Sequence, residues 1–241
     1  MNYRCHPAIS GTDARLMVKD FEAWAFNRRL KLNNEVPVWL VDEPSEAMQF
    51  GTAVHMALLE PEEFRRKAVI MPYVESFAVK AGREIKMDAL ERAMALDGGF
   101  VLRQEHAWAI EQIAINFAPV RAQFEGPWFT EVQTFGAYKG YATKGTVDAF
   151  TNECLVDLKT TRDVTRISET IASERYNIQI AHYLHLMPAA SAAYIFIENT
   201  PPFRVVPLRM TEQEVEMAVT AWGMAMDRAI DDGLAVKSER I

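Results

Sequence analysis

The sequence contains very little cysteine, and this shortage excludes several kinds of protein. Among 241 residues only Cys5 and Cys154 carry a thiol. Two thiols cannot build a disulfide framework, and they cannot supply the four cysteine ligands of an iron–sulfur cluster. We therefore expect reduced thiols, a cytoplasmic protein and no iron–sulfur cofactor.

An excess of positive charge and a long apolar run are also missing. Lys and Arg total 26 against 33 Asp and Glu, which gives a formal net charge of −7. Proteins that coat nucleic acid are usually basic, so that class is disfavoured, whereas basic residues confined to one groove remain compatible with DNA binding. No stretch is apolar enough to span a membrane, and the first residues lack a signal-peptide core. We expect no membrane association.

The composition that remains is that of a folded globular protein. Hydrophobic residues make up 49% of the chain and charged residues 24%, which is typical of a packed domain. A chain of this length suits one compact domain. We predict a single domain over residues 1–241, mainly helical over about 1–125 and built on a sheet over about 126–241.

The most informative stretch predicts two short strands around a tight turn. The first, about Ala142 to Phe150, is rich in β-branched and aromatic residues, and the second runs from about Cys154 to Thr160. The turn is Thr151-Asn152-Glu153. Because side chains alternate along a strand, Asp157 and Lys159 share one face and their apolar neighbours take the other.

This hairpin can bring two carboxylates together. Asp148 lies near the end of the first strand, and pairing would place its carboxylate beside that of Asp157. Adjacent carboxylates repel unless a cation lies between them, and carboxylate oxygens suit a hard divalent metal. Lys159 adds a positive charge two residues later. The alternative is an ordinary surface ion pair, because strands with Asp-x-Lys are common.

Two predicted helices carry further candidates. In the helix after the cap at Ser45, Gly51 and His55 lie one turn apart on the same face, so a strand or ligand can approach the imidazole. A lone histidine on an apolar helix is more often a hydrogen-bonded core residue, and that alternative stays open. Downstream, Gln179 and Tyr183 are four residues apart and share a helix face.

In this order the elements resemble the PD-(D/E)XK nuclease superfamily, and within it the RecB-like and RecE-like exonuclease branch. There, a helix with His is followed by a strand with Asp, a strand with (D/E)-x-K and a helix with Q-x-x-x-Y. The segment G-T-x-x-H-x-x-x-L-E-P-E of the RecE-like exonucleases is matched by Gly51, Thr52, His55, Leu59, Glu60, Pro61 and Glu62. The resemblance covers about Ser10 to Ala229, with one departure, Val147 where many members have Pro.

The resemblance implies an α/β fold with a three-layer nuclease core, a mixed central sheet flanked by helices and an N-terminal helical part. It implies a deoxyribonuclease that uses one or two Mg²⁺ or Mn²⁺ ions. The implied metal ligands are His55, Asp148, Asp157, the backbone carbonyl of Leu158 and, as a second-tier candidate, Glu131. The implied catalytic residues are Asp148, Asp157, Lys159, Gln179 and Tyr183, with Lys159 orienting or deprotonating the attacking water.

The implied substrate is linear double-stranded DNA, digested from 5′ to 3′ to leave 3′ single-stranded tails for recombination. Similarity to RecE and, more distantly, lambda exonuclease implies a bacterial or phage-encoded protein, a ring-shaped homo-oligomer and a single-strand annealing partner. Candidate DNA contacts are Arg28, Lys31, Lys80, Arg83 and Arg162. Arg28 and Lys31 end a predicted helix that starts at a cap at Ser10, and a cationic helix end explains them equally well. A plain helix start likewise explains Lys80 and Arg83.

Three alternatives to an exonuclease stay open. An endonuclease with the same core would carry the same residues, and cleavage of closed circles would distinguish it. An iron–sulfur nuclease is disfavoured because two cysteines stand where four are required. A non-catalytic DNA-binding or assembly module on the same fold is disfavoured by the intact Asp157-x-Lys159.

Overall fold

The computed structural model describes residues 3, 6–33, 45–151 and 153–240. Asn152 of the predicted turn lies outside the described residues. In chain order the elements are α1 (Gly11–Lys19), α2 (Phe21–Leu32), α3 (Glu46–Leu59), α4 (Pro61–Lys67), β1 (Ala68–Met71), α5 (Lys80–Met94), β2 (Phe100–Arg103), α6 (Gln104–Arg121), β3 (Phe129–Tyr138), β4 (Tyr141–Phe150), β5 (Cys154–Thr161), α7 (Ile167–Glu174), α8 (Tyr176–Leu186), β6 (Ser191–Glu198), β7 (Val205–Arg209) and α9 (Glu212–Asp231). No helix in these ranges is both long and apolar enough to cross a membrane.

The central sheet is mixed. Within the described part of the chain its strand order is β3-β4-β5-β6-β7. The pairs β3/β4, β4/β5 and β6/β7 are antiparallel, and β5/β6 is parallel. A parallel pair needs a crossover, which α7 and α8 provide. Since β5 is the middle strand, Cys154–Leu158 are all buried, as expected for a strand covered on both faces.

Helices cover both faces of this sheet. Val156 and Leu158 of β5 pack with the apolar residues of α3 and α6, whereas Leu155 packs with Ile180 and Tyr183 of α8 on the opposite face. Helices α1 and α9 pack in turn against α8. The predicted α/β fold, a mixed sheet between helical layers, is therefore confirmed.

Two local features differ from the sequence-based expectations. The single helix predicted after Ser10 is broken at Asp20, whose extended backbone ends α1 and whose side chain caps α2 by accepting a hydrogen bond from the Ala23 amide. The segments Ala68–Met71 and Phe100–Arg103 also pair as a small parallel sheet that the sequence did not predict. Both segments are too short to show a clear periodicity.

Candidate active site

The candidate site lies where β4 and β5 separate. Their ladder comprises two pairs, Ala149–Val156 and Phe150–Leu155. Beyond these pairs the side chain of Asp148 enters the gap, and its Oδ2 accepts a hydrogen bond from the Leu158 amide at 2.8 Å. The predicted hairpin therefore exists, but its strands part just where the two aspartates begin to face each other.

Asp157 is a buried carboxylate with an incomplete set of partners. Only 1% of it is exposed, and its Oδ2 lies 2.5 Å from the Lys159 ammonium. Among the described residues neither oxygen has a well-aligned hydrogen bond. Burial raises the pKa of Asp157 to about 6; nearby Asp148 adds to this rise, and Lys159 opposes it. A second cation near this carboxylate would relieve that cost.

Three further side chains bring ligand atoms together beside this pair. One atom each of His55, Glu131 and Asp148 lie within 4.8 Å of one another, and His55 Nδ1 is 3.7 Å from Asp148 Oδ2. Burial, reinforced by Lys159, lowers the pKa of His55 to about 4. The imidazole is therefore neutral at pH 7, the form that binds metals.

Glu131 reaches this group through an irregularity in β3. The ladder pairs Thr130 with Ala149 and Val132 with Val147, so Glu131 stands opposite Asp148 without pairing. Its φ is 50°, a left-handed value that costs energy for a residue with a side chain and often marks functional sites. Burial, then Asp148 and Glu60, raise the pKa of Glu131 to about 7.

The residues present fit a hard divalent cation such as Mg²⁺ or Mn²⁺. They offer carboxylate oxygens and a neutral imidazole within a small volume, and Asp157 adds a buried carboxylate to which the described residues give no well-aligned hydrogen bond. Asp157 is not part of the compact group of three, and its Oδ2 lies 2.5 Å from the Lys159 ammonium. The geometry therefore gives Glu131 more weight than the sequence did, and the individual ligand assignments stay predictions.

The Gln179–Tyr183 pair lies on the opposite face of the sheet from His55. Gln179 Nε2 donates to the Tyr183 hydroxyl at 2.7 Å. The backbone approaches this ring closely at Gly11 and Gly145, where a Cβ would lie 2.8 Å and 3.0 Å from Tyr183 ring atoms. Burial, helped by Asp157 and Asp148, raises the pKa of Tyr183, so the phenol keeps its proton.

Gly51 has the role that the sequence predicted for it. A Cβ at Gly51 would lie 3.0 Å from Thr160 Oγ1, so the missing side chain lets α3 approach β5. The sheet strand next to α3 is thus the one that carries Asp157 and Lys159. This close approach places His55 at the open end of the strand pair.

Tyr176 is a site residue that the sequence did not single out. Its ring centroid lies 4.9 Å from the Lys159 ammonium. A signal was present, since Tyr176 precedes Gln179 by three residues and Tyr183 by seven, on one face of α8. The pattern predicted a shared face but not what that face would touch.

The five candidate DNA-binding residues differ from one another in exposure and in position on the fold. Arg28 is 5% exposed, and its guanidinium donates to the backbone carbonyls of Leu234 and Pro7. The structure therefore places Arg28 in the interior and not on a DNA-facing surface, because a buried guanidinium must spend its donors on protein acceptors. The remaining candidates are exposed: Lys31, Lys80, Arg83 and Arg162.

Two of these exposed residues lie on a separate part of the fold. Lys80 and Arg83 belong to α5, which packs mainly on the small sheet of β1 and β2. The Lys80 ammonium lies 3.6 Å from the carboxylate Oε1 of Glu84 on the same helix. Arg162 directly follows β5, three residues after Lys159, and is the exposed candidate closest in sequence to the site.

Comparisons with other proteins agree with this fold. Residues 17–197 match the family described as a PDDEXK-like domain of unknown function (DUF3799). The fold is similar to that of a candidate exonuclease from Eubacterium rectale, with a TM-score of 0.61 and 16% identity over 96% of this chain and 85% of that one. No curated protein matches the sequence.

Two further exonuclease structures are more distant. A phage-related exonuclease from Haemophilus somnus 129PT has a TM-score of 0.34 and 11% identity, over 68% of this chain and 92% of that one. An alkaline exonuclease from Laribacter hongkongensis has a TM-score of 0.35 and 9% identity, over 75% of this chain and 87% of that one.

Proposed function

We propose, from the premise that the chain belongs to the PDDEXK-like family DUF3799, that it is a metal-dependent exodeoxyribonuclease. Its substrate would be linear double-stranded DNA, hydrolysed from 5′ to 3′ to leave 3′ single-stranded tails for recombination. The observation that carries the proposal is the parting of β4 and β5, with Asp148, Asp157 and Lys159 at the gap and His55 and Glu131 beside it.

The choice of an exonuclease has separate support. The similar structure from Eubacterium rectale, which extends over 96% of this chain, is described as a candidate exonuclease. The resemblance to RecE-like enzymes also supports a homo-oligomeric ring around the DNA and an annealing protein that receives the 3′ strand. These parts of the proposal concern assembly and are independent of the chemistry.

The cation would be held by His55, Asp148, Glu131, Asp157 and the carbonyl of Leu158. When bound, Mg²⁺ or Mn²⁺ would neutralise charge on the scissile phosphate and activate a water molecule for attack. The neutral imidazole of His55 needs no deprotonation before it binds. The raised pKa of Glu131, about 7, means that metal binding would displace its proton near neutral pH.

Lys159 would act through its charge. Burial lowers the pKa of Lys159, but the attraction of Asp157 and Asp148 outweighs burial and the net shift is upward. The ammonium therefore stays protonated at working pH, which favours electrostatic stabilisation of the phosphate over proton abstraction from water. A fixed positive charge stabilises the negative charge that grows on the phosphate oxygens during attack.

The test is digestion of 5′-phosphorylated linear duplex DNA with and without Mg²⁺ or Mn²⁺, beside nicked and covalently closed circles. We expect metal-dependent release of nucleotides from the linear duplex, intact closed circles and no activity in Asp157→Ala. Cleavage of closed circles would instead indicate an endonuclease. No cleavage with either metal, in a protein that binds DNA, would indicate the non-catalytic module.

A further inference from the structure

Among the described residues, the Lys159 ammonium makes two close contacts of different chemistry. One is the carboxylate of Asp157, 2.5 Å away; the other is the ring of Tyr176, 4.9 Å from the ammonium to the ring centroid. We propose that Tyr176 is a positioning residue, which holds the ammonium of Lys159 at the reaction centre when Asp157 turns to a bound cation. This inference rests on the proposed nuclease function and adds a residue to it.

The need for a second contact follows from the double use of Asp157. Among the described residues, Lys159 forms its ion pair with Asp157. A divalent cation held by the same carboxylate competes for its negative charge and repels the ammonium. A lysine side chain is a flexible four-carbon stem with high rotamer entropy. When its ion pair is weakened, the ammonium can therefore move away from the phosphate.

The Tyr176 ring supplies attraction that a metal does not remove. The negative face of an aromatic ring attracts an ammonium within about 6 Å of the centroid, and more strongly where water is excluded. Only 14% of the Lys159 side chain is exposed, so water competes weakly here. The ring is uncharged and does not compete with Asp157 for the divalent metal. The contact between the ring and the Lys159 ammonium therefore persists when Asp157 binds the cation.

The ring is itself fixed in place. Tyr176 is the first residue of α8 and follows Arg175, whose left-handed φ of 56° sets the turn between α7 and α8. It packs against the apolar cluster that includes Val164 and Tyr183. Arg15 also lies over the ring, at 5.3 Å, and is paired with Glu174 at 3.0 Å. A ring held from several sides can restrain a flexible ammonium.

Substitutions at Tyr176 separate the ring from the hydroxyl. Tyr176→Phe keeps the ring and should retain kcat within about two-fold, whereas Tyr176→Leu should lower kcat about ten-fold with little change in KM for linear duplex. In the Lys159→Met background, Tyr176→Leu should cause no further loss. The matched control is Phe77→Leu, which removes the 5.8 Å contact between Phe77 and Lys86 on α5 and should leave kcat unchanged.

A spectroscopic measurement tests the contact without cleavage. In protein labelled with ¹³C at the lysine ε-carbon, the Lys159 methylene, assigned by its absence in Lys159→Met, should be shifted upfield by the ring. We expect this shift to persist with saturating Mg²⁺ and in Tyr176→Phe, and to vanish in Tyr176→Leu. Because the spectrum needs no turnover, it judges the contact even if the protein proves not to be a nuclease.

Three outcomes would overturn the inference. One is a wild-type Lys159 resonance without the upfield shift once Mg²⁺ is present. Another is an equal loss of kcat in Tyr176→Phe and Tyr176→Leu. The third is an undiminished effect of Tyr176→Leu in the Lys159→Met background, which would mean that Tyr176 does not act through Lys159. The wild-type spectrum decides the first point even if Tyr176→Leu fails to fold.

Discussion

Two histidines, in two regions of the molecule, have similarly lowered pKa values and different surroundings. Burial is the leading cause that lowers the pKa of both His55 and His182 to about 4. His182 lies on α8, where Trp222 Nε1 donates to its Nδ1 at 3.2 Å. Its Nε2 must then carry the proton, and it lies 2.9 Å from the Lys144 carbonyl that accepts it.

His55 lies instead beside two acidic side chains. It faces the carboxylates of Asp148 and Glu131, and a quarter of its side chain is exposed. A lowered pKa therefore does not distinguish a histidine in a functional site from a histidine in the core. The partners do: both ring nitrogens of His182 have neutral hydrogen-bond partners, whereas the open strand edge at His55 includes the Asp157 carboxylate, which a cation or substrate could satisfy.

The largest effect is expected at the open edge, from Lys159→Met. This substitution keeps much of the apolar stem and removes the charge, so metal and DNA binding should be nearly normal. Turnover should fall by roughly 10²–10³, or about 3–4 kcal/mol of transition-state stabilisation. Single-turnover cleavage of linear duplex checks it, and Lys159→Arg should not restore the rate. Cleavage within a few-fold of wild type would make Asp157–Lys159 an ordinary ion pair.

His182→Ala should have the next largest effect, on stability. The substitution removes the acceptor of the Trp222 indole N–H and a donor to the Lys144 carbonyl, and it opens a cavity, which together should cost about 2–4 kcal/mol of unfolding free energy. Urea denaturation measures this cost. Metal-dependent cleavage by the folded fraction should persist. Loss of cleavage in that fraction would contradict the distinction between a structural His182 and a functional His55.

His55→Ala is the matched control for that experiment. It should change the unfolding free energy by less than about 1 kcal/mol, because a quarter of the His55 side chain is already exposed. Cleavage should fall strongly and recover in part at high Mn²⁺, which binds nitrogen ligands better than Mg²⁺ does. A stability loss without recovery by Mn²⁺ would make His55 a core histidine.

A smaller effect is expected when the pH is lowered: protonation of His182 in the unfolded chain should reduce the unfolding free energy by about 2 kcal/mol. Its pKa is about 4 in the folded protein and 6.5 in the unfolded chain, so the unfolded chain binds the proton more readily. The contribution to stability is therefore complete above pH 6.5 and is lost as the pH falls towards 4, with about 2 kcal/mol gone at pH 5. The stability difference between wild type and His182→Gln should shrink accordingly between pH 7.5 and 5; a constant difference would contradict the assignment.

The smallest effect is expected from Asp157→Asn in the absence of metal. The pKa of Asp157 is raised to about 6 from 3.8, so above pH 6 the ionised carboxylate destabilises the folded protein. Loss of the Lys159 partner offsets part of the gain, and the net change should be a rise of no more than about 1 kcal/mol. Thermal melting with and without Mg²⁺ measures it, and stabilisation by Mg²⁺ should shrink in the variant. A clear loss of metal-free stability would assign Asp157 to the core.

Much of the fold was predictable because its signals are local. The β-branched and aromatic residues around 142–161 indicate two strands, and alternation puts Asp157 and Lys159 on one face. The four-residue spacing of Gln179 and Tyr183 puts them on one helix face. Thr211 and Glu214 form a capping box, in which each side chain accepts a hydrogen bond from the other residue's backbone amide, and this marks the start of α9. The sequence by itself determined these elements, since each depends on residues only a few positions apart.

Other features were decided by the tertiary structure. The parting of β4 and β5 depends on where Asp148 meets the Leu158 amide, and the left-handed backbone of Glu131 depends on its partner strand. The burial of Arg28 depends on Leu234, 206 positions away, and the ring over Lys159 comes from a separate helix. Local patterns state which face a side chain takes, but only long-range packing decides what that face meets and whether a charge there is exposed or buried.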